Sequence, residues 1–376
     1  MRVAGIMSGT SLDGIDVAIV DLSKKRAGVR VKPVAFHTTP YPRIVREAIL
    51  AVSNTMTHTA TIARLSFLLG ELYATAIRET ARRARVPLHS IVLAGMHGQT
   101  IFHEAREVEY LGHPVASTMQ IGEAAIVAER TGIWTISNFR ERDMAAGGRG
   151  APLVPAVDYL LFRHRRISRI ALNIGGIANI TFIPPDAQRN HVIAFDTGPG
   201  NMVIDALVAH HTKGRETFDR GGRIARSAKI HKRMLASMLS DPYFDLAPPK
   251  ACGREQFGRE FVQGLIATGI PLPDLIATAT ELTARSIAAA ILSYPATETI
   301  ASGGGIHNRH LMRRLRDLLG TRTLTTSADF GIDPDAKEAI AFAILAYEFI
   351  QRRAGNLPSA TGARHAVLLG KDSPAC

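Results

Sequence analysis

Residues 1–22, MRVAGIMSGTSLDGIDVAIVDL, set two apolar runs on either side of an interval of Ser, Gly, Thr, Ser, Leu, Asp and Gly. The runs at 2–7 and 15–22 predict β-strands, and the Gly- and Asp-rich interval predicts the turn between them. Two readings of that turn are open. It is an Asp-Gly corner of an ordinary hairpin, or it holds an anion. Ser8, Gly9, Thr10 and Ser11 can direct backbone N–H groups and hydroxyls at a phosphate. Asp13 and Asp16 are placed to orient a hydrated cation beside it.

The rest of the chain bears on the choice. At 376 residues it exceeds the usual size of one domain. Hydrophobic residues make up 46%, enough to build real cores, whereas 6% aromatics argues against a surface that stacks bases. Lys and Arg (45) against Asp and Glu (33) give a net charge of +12, which favours anionic ligands in general. The clusters at 82–85, 163–166 and 313–316 lie in or beside helical patterns and read as solvated faces, with no nucleic-acid motif beside them. Cys252 and Cys376 form no CxxC pair, so neither a disulfide framework nor a zinc site is expected. No charged, apolar leader opens the chain, and no uninterrupted apolar run long enough to span a bilayer is expected.

Working outward, a third strand is predicted at 30–37 and a helix from Thr59 to Arg85, with Ile62, Leu65, Leu69, Leu72, Tyr73, Ala76 and Ile77 on its buried face. SIVLAGMHGQT reads as strand and loop, and GEAAIVAERTGIWTI as helix and strand, an α/β alternation. The loop-rich stretch 138–155, NFRERDMAAGGRGAPLVP, then interrupts. Residues 170–183, IALNIGGIANITFI, repeat the opening design of two apolar strands bracketing small residues, which suggests a duplicated domain plan. DPDAKEAIAFAILAYEFI predicts a buried final helix with Asp333 as N-cap and Pro334 in the first helical position. The tail from Gly355 lacks a core-forming pattern.

Several of these segments carry candidate chemistry, each with a plainer structural reading beside it. NIGGIAN (Asn173 to Asn179, through Gly175 and Gly176) offers a second turn open to close backbone approach. SGGGIHN puts Gly303, Gly304 and Gly305 between a strand and a helix, a place for phosphates or a flat base. It is not the dinucleotide fingerprint, and no P-loop lysine motif is present. FDTGPGN sets Asp196 at a strand end, where a carboxylate is either a general base or a cap. His97, Gln99, Gln120 and Glu123 sit at strand ends and suit a hydroxyl-rich ligand, or are satisfied structural groups. Arg140, Arg142 and Arg149 can meet a carboxylate or phosphate, beside Asp143. Glu338 lies in the first turn of the final helix, where the dipole favours negative charge and a second catalytic carboxylate could also sit.

Taken together, GIMSGTSLDGID, GMHGQT, QIGEAA, FRERDMAAGGRGAPLVP, LNIGGIANIT, FDTGPGN, SGGGIHN and DAKEAIAFA closely resemble the anhydro-N-acetylmuramic acid kinases of bacterial cell-wall recycling. They occur in order from residue 5 to about 345, and MSGTSLDGID is the most diagnostic. The resemblance implies an α/β, two-domain sugar-kinase/Hsp70/actin fold, a duplicated ribonuclease H-like plan with a central interdomain cleft. The expected division is residues 1–135 plus 340–376 in domain I and 136–339 in domain II. The implied reaction uses ATP and Mg²⁺ to phosphorylate O6 of 1,6-anhydro-N-acetylmuramic acid while water opens the anhydro bridge, giving N-acetylmuramic acid 6-phosphate and ADP.

Carried over residue by residue, the resemblance implies an ATP phosphate loop of Gly9, Thr10, Ser11, Leu12, Asp13, Gly14, Ile15 and Asp16. Asn173, Gly175, Gly176, Asn179 and Gly303 to Gly305 join it as nucleotide contacts. The same carry-over gives substrate contacts at His97, Gln99, Gln120, Glu123, Arg140 and Asp143, a water-activating base at Asp196, and Glu338 as its helper; the Mg²⁺ ligands stay unassigned. A cytoplasmic enzyme is expected, with ATP and the anhydro sugar as partners and neither nucleic acid nor membrane; a homodimer is left open. A sugar kinase without ring opening, or a non-enzymatic ATP-driven clamp, are the alternatives, although a clamp would need an appended peptide- or polymer-contact region. Three departures stand out: Asn138 and Arg149 where DFR and GGQG are more usual, and Ala251-Cys252 in place of a Ser-Thr pair. The last puts a polar role for that segment in doubt.

Overall fold

A computed structural model describes residues 1–9, 12–25 and 28–375. Contacts divide the chain into two compact units, Met1–Leu161 with Ala336–Cys376, and Phe162–Asp335. In the first unit β1 (Arg2–Ser8), β2 (Gly14–Lys25) and β3 (Gly28–Pro40) form an antiparallel meander. On the other side of β1, β4 (Leu93–Tyr110) pairs in parallel, and β5 (His113–Ile121) folds back on it as a hairpin. β6 (Trp134–Ser137) continues the parallel half beyond β4.

The second unit repeats the plan. β7 (Arg169–Ile174), β8 (Ile177–Ile183) and β9 (Ile193–Pro199) are antiparallel, and β10 (Glu298–Ser302) and β11 (Thr323–Thr326) add in parallel beside β7. The spatial orders, β3-β2-β1-β4-β6 and β9-β8-β7-β10-β11, are the same path. The duplication suggested by the two similar hairpins is therefore a duplication of whole sheets. In the first sheet a further strand, β12 (Lys371–Ser373), pairs antiparallel with β6.

Helices cover the sheets. The helix Thr59–Arg83 buries Leu65, Leu69, Tyr73, Ala76 and Ile77, the face its spacing predicts. Leu272–Leu292 is the core helix of the second unit, buried almost without break from Leu275 to Ala284. By length and composition alone these two could cross a membrane, but 78% of the second helix's apolar window and 39% of the first's is buried within the protein. The helix Lys337–Ile350 lies on the first sheet and is buried from Ala339 to Glu348. It comes down on the paired glycines Gly5 and Gly95 of β1 and β4. A Cβ at Gly5 would lie 1.8 Å from the Ala339 carbonyl oxygen, and one at Gly95 2.0 Å from that of Phe342. Bare backbone at both positions lets Ile340, Phe342, Ile344 and Leu345 bury, each contributing about 1.5–3 kcal/mol.

Three expectations change. The final helix starts at Lys337 with Ala336 as N-cap, not at Asp333. Asp333 instead accepts the Asp335 N–H in a local turn, and the Pro334 carbonyl is engaged by the Gly303 N–H of the second unit. The tail is structural: Asn356, Leu357, Thr361 and Leu369 are buried, although no periodic pattern announces them. The contact division falls after Leu161 rather than at 135, because β6 pairs with β4 and Asp143 bonds to Asn356 and Thr361.

Gly5→Ala or Gly95→Ala should each destabilise the protein by about 1–3 kcal/mol or more, since backbone must move to admit the methyl. Gly264→Ala, in the helix Arg259–Ala267 with open space around it, should be neutral or gain up to about 1 kcal/mol. Urea unfolding midpoints check the contrast; equal shifts in all three would remove the glycine seat as the reason the helix docks there.

Candidate active site

At the opening turn, Ser8 is buried and its hydroxyl donates to Gln99 Oε1 at 2.5 Å and meets the Tyr41 hydroxyl at 2.7 Å. Tyr41 in turn reaches Tyr73 at 3.5 Å. This network fixes the end of β1, so Ser8 and Gln99 support the turn from beneath. Leu12 turns back with φ of +59° and its N–H bonds to the Gly9 carbonyl. Leu12 and Ile15 are core residues, and Gly14 is a packing glycine whose Cβ would lie 2.6 Å from the Thr39 carbonyl. Asp13 is exposed, and Asp16 is half-buried with an oxygen held by the Thr38 hydroxyl at 2.6 Å. Thr10 and Ser11 lie outside the described residues.

A second cluster of the first unit forms where β4 meets the 138–150 loop. His97 is buried, its Nδ1–H donates to the Gly98 carbonyl at 2.7 Å, and its Nε2 accepts from Arg140 at 2.8 Å. That tautomer is the neutral one, and burial together with the Arg140 charge pushes the imidazole down to about 3. Arg140 also donates to the Gly150 carbonyl at 2.7 Å. Burial lowers its guanidinium to about 10, against the opposing pull of Glu141, Glu338 and Asp143. Glu338 is half-buried, in the first turn of its helix.

The other sequence-predicted contacts have more internal partners than expected. Asp143 is 0% exposed; one oxygen accepts from Asn356 and Thr361, the other from the Gly150 N–H. It organises the loop that presents Arg140. Glu123 caps the helix Ala124–Thr131 by accepting the Ala125 N–H. Gln120 donates to Thr100 and Thr118 while its Oε1 is buried without a partner among the described residues. Arg149 is exposed.

In the second unit strand register does what sequence spacing hides. Ser302 pairs with Asn173, Asn173 with Asn179, and Asn179 with Asp196, one polar row across four strands. Directly paired residues project from the same face, so Asn173, Asn179 and Asp196 share one. One Asp196 oxygen accepts the Cys252 N–H at 3.1 Å, and the other has no hydrogen bond among the described residues. The Asp196 backbone is tied on both sides, its N–H to the Lys250 carbonyl and its carbonyl to the Tyr243 hydroxyl at 2.6 Å. Burial raises the carboxyl to about 6; the Cys252 N–H opposes the rise and Glu255 adds to it. Burial also pushes the Cys252 thiol up to about 12, which leaves it an inert thiol.

The β7–β8 turn is stitched to the loop that follows Asp196. Gly200 and Met202 N–H groups bond to the Gly176 carbonyl, and the Asn201 N–H to that of Gly175. The glycines of this region divide into two kinds. At Gly200, Gly303 and Gly305 a Cβ would come within 2.2–2.7 Å of Gly175, Asn173 or Ile174 atoms, so they exist to let loops touch. At Gly175, Gly176 and Gly304 the nearest atoms are 3.5, 3.7 and 4.0 Å away, leaving bare backbone facing open space. Those three are the glycines with room for a ligand. The contacts of the Tyr41, Tyr73 and Tyr243 hydroxyls and of the Cys252 backbone were not legible in sequence, although Tyr73 lies on the predicted buried face, because each acts through a long-range pairing with no local motif.

A family model described as anhydro-N-acetylmuramic acid kinase matches residues 1–375. The curated protein of that name from Caldanaerobacter subterraneus subsp. tengcongensis is 43% identical over 381 residues, covering 99% of this chain and 96% of its own. One from a strain of Bacillus cereus is 43% identical over 380 residues, covering 98% and 96%. Among solved structures, component A of the Acidaminococcus fermentans (R)-2-hydroxyglutaryl-CoA dehydratase is 14% identical with a TM-score of 0.45, covering 93% of this chain and 98% of its own.

The His97 geometry has a pH signature. With its folded value lowered to about 3, the unfolded chain takes up a proton first as pH falls. Stability that is complete above about 6.5 should be lost as pH falls towards about 3, with a one-proton slope that His97→Gln removes. Urea midpoints across this range test it, and an NMR titration giving His97 a value near 6.5 would sink it.

Proposed function

The chain belongs to the anhydro-N-acetylmuramic acid kinase family, and on that premise we propose that it phosphorylates O6 of 1,6-anhydro-N-acetylmuramic acid with ATP while water opens the anhydro ring. The products are N-acetylmuramic acid 6-phosphate and ADP, and the setting is peptidoglycan recycling in the cytoplasm. The observation that carries this reading is Asp196: a strand-end carboxylate, raised to about 6, with one oxygen fixed by a backbone N–H and the other left to take a proton.

In this mechanism the unbonded Asp196 oxygen accepts a proton from water as the water oxygen attacks C1. The C1–O6 bond breaks, and O6 takes its electron pair to the γ-phosphorus as ADP leaves. One carboxylate thus serves both halves of the reaction. Glu338 is proposed to help hold that water. Two of the five Arg140 N–H groups remain after its bonds to Gly150 and, through two donors, to His97, and these meet an anionic group of the substrate. Gln120 Oε1 accepts from a substrate donor. Asp143 and Glu123 are assigned to the support of these groups, and Gln99 to the support of the Gly9–Asp16 loop.

The nucleotide's phosphates are assigned to that loop and to the β7–β8 turn, and its remainder to the bare backbone at Gly304. Among the described residues no three His, Cys, Asp or Glu side chains converge to cage a metal. Asp13, exposed, and Asp16, half-buried with one oxygen on the Thr38 hydroxyl, are the carboxylates of the loop, and such a pair fits Mg²⁺, which keeps its waters and needs one or two carboxylates besides phosphate oxygens. Asp16 and Asp13 would hold it, and when bound it neutralises charge on the transferred group.

Asp196→Asn should lower turnover by about 10²–10⁴-fold. In the wild type, kcat/KM should rise with pH through about 6 and level off above it, since the base works ionised. Product mass must show both a phosphoryl group and a water added; a product that keeps its anhydro ring overturns the reaction, and Glu338→Gln with wild-type turnover removes the helper role. Gly304→Ala should leave the unfolding free energy within about 0.5 kcal/mol of wild type yet raise the KM for ATP several-fold, because the nearest protein atom to the added methyl, Asn201 Nδ2 at 4.0 Å, is at ordinary contact distance. An unchanged KM for ATP would move the nucleotide elsewhere.

A further inference from the structure

The core helix Leu272–Leu292 carries three fully buried threonines with different habits. Thr278 and Thr280 donate to the carbonyls of Asp274 and Ile276, four residues back on their own helix. That is how a threonine inside a helix normally satisfies its hydroxyl. Thr283 does not. Its hydroxyl, 1% exposed, points off the helix and shares its proton between the carbonyls of Pro199 and Gly200, at 3.0 and 2.9 Å.

Those carbonyls belong to the loop after Asp196, and the backbone beside them is the part that grips the β7–β8 turn. The Gly200, Asn201 and Met202 N–H groups all end on the Gly175 and Gly176 carbonyls. The loop comes close to the helix at the same place: a Cβ at Gly198 would fall 3.4 Å from Ser286 Oγ on it, and 2.8 Å from the ring of Phe244 in the neighbouring segment Pro242–Asp245. The path from helix to turn therefore consists of one side-chain hydroxyl followed by three backbone hydrogen bonds. We propose that Thr283 is a positioning residue for nucleotide binding, its hydroxyl setting the height of the Gly198–Asn201 loop and, through it, the β7–β8 turn that receives the phosphates. This rests on the phosphate-binding reading of that turn.

The test compares T283V, which keeps the shape and loses the proton, with T283S, which keeps the proton. T283V should raise the KM for ATP roughly tenfold, the scale of one lost hydrogen bond that strands buried carbonyls, with the KM for the anhydro sugar unchanged. T283S should bind ATP within about twofold of wild type, as the donor is intact. If T283V fails to fold, T283A is measured in its place and read by the same split. A T283V enzyme with wild-type KM for ATP overturns the proposal. So does a T283S enzyme as impaired as T283V, which would assign the effect to methyl packing. Gly176→Ala, whose methyl meets only Met202 at ordinary contact, separates the premise from the inference. If it leaves the KM for ATP unchanged, the phosphate reading of the turn is wrong; if it raises the KM while T283V does not, only the role of Thr283 falls.

Discussion

The close seating of the helix Lys337–Ile350 on Gly5 and Gly95 is the contact from which the organisation of the first unit follows. Two glycines paired across neighbouring parallel strands remove the side-chain layer that normally separates helix from sheet. The chain must leave the first unit after Leu161 and return to it at Ala336 for this helix to find its seat. Its start is pinned by a buried ion pair, Lys337 to Asp158 at 2.7 Å, with both side chains 2–3% exposed. Such a pair adds little net stability over an apolar substitute, but breaking one partner costs about 3–5 kcal/mol, so it fixes where the helix begins. Register then puts Glu338 beside Arg140 without any local sequence requiring it.

The titratable groups around the two clusters are tuned by burial more than by pairing. For His97, Arg140 and Asp196 desolvation is the largest influence, and in each it disfavours charge. The outcomes differ because the neighbours differ. His97 has a cation on one nitrogen and a carbonyl on the other, and stays neutral. Arg140 has three carboxylates within reach and stays charged. Asp196 has a single N–H, too little to cancel burial, and ends near neutrality where a base is useful. One physical cause thus yields a neutral imidazole, a guanidinium that keeps its charge and a carboxyl raised to about 6.

Much of this was legible in the sequence because the fold's plan is local. The hairpins at 1–22 and 170–183 have matching apolar-small-apolar patterns, and each opens a sheet of the same strand order. The amphipathic helix from Thr59 was equally plain. What escaped was whatever depends on long-range closure. The tail after Gly355 has no periodicity, yet Asn356 and Thr361 bond to Asp143 across more than two hundred residues of sequence. Asp143 looked like a ligand contact because a carboxylate in a polar loop does; only its three internal donors reveal its task. The glycines looked alike in sequence and divide only once their neighbours are known.

The Ala251-Cys252 departure is settled by the same distinction between side chain and backbone. A Ser-Thr pair beside a strand-end carboxylate suggests hydroxyls that hold it, and their loss suggests a weaker hold. The contact to Asp196, however, is the N–H of Cys252, and the reciprocal bond runs from the Asp196 N–H to the Lys250 carbonyl. The segment is tied to β9 by one backbone bond and by one backbone N–H on the Asp196 carboxylate, a donor that any residue except proline can supply at 252. What it does require is that the segment be held in place. Lys250 does this, its ammonium donating to the carbonyls of Tyr243 and Phe244 while lying 4.7 Å from the centre of the Tyr243 ring. Tyr243 closes the circuit with its hydroxyl on the Asp196 carbonyl. The tie to Asp196 at 252 is therefore made by backbone, while the Cys252 side chain packs half-buried beside Tyr243, and Lys250 and Tyr243 hold the segment against Asp196.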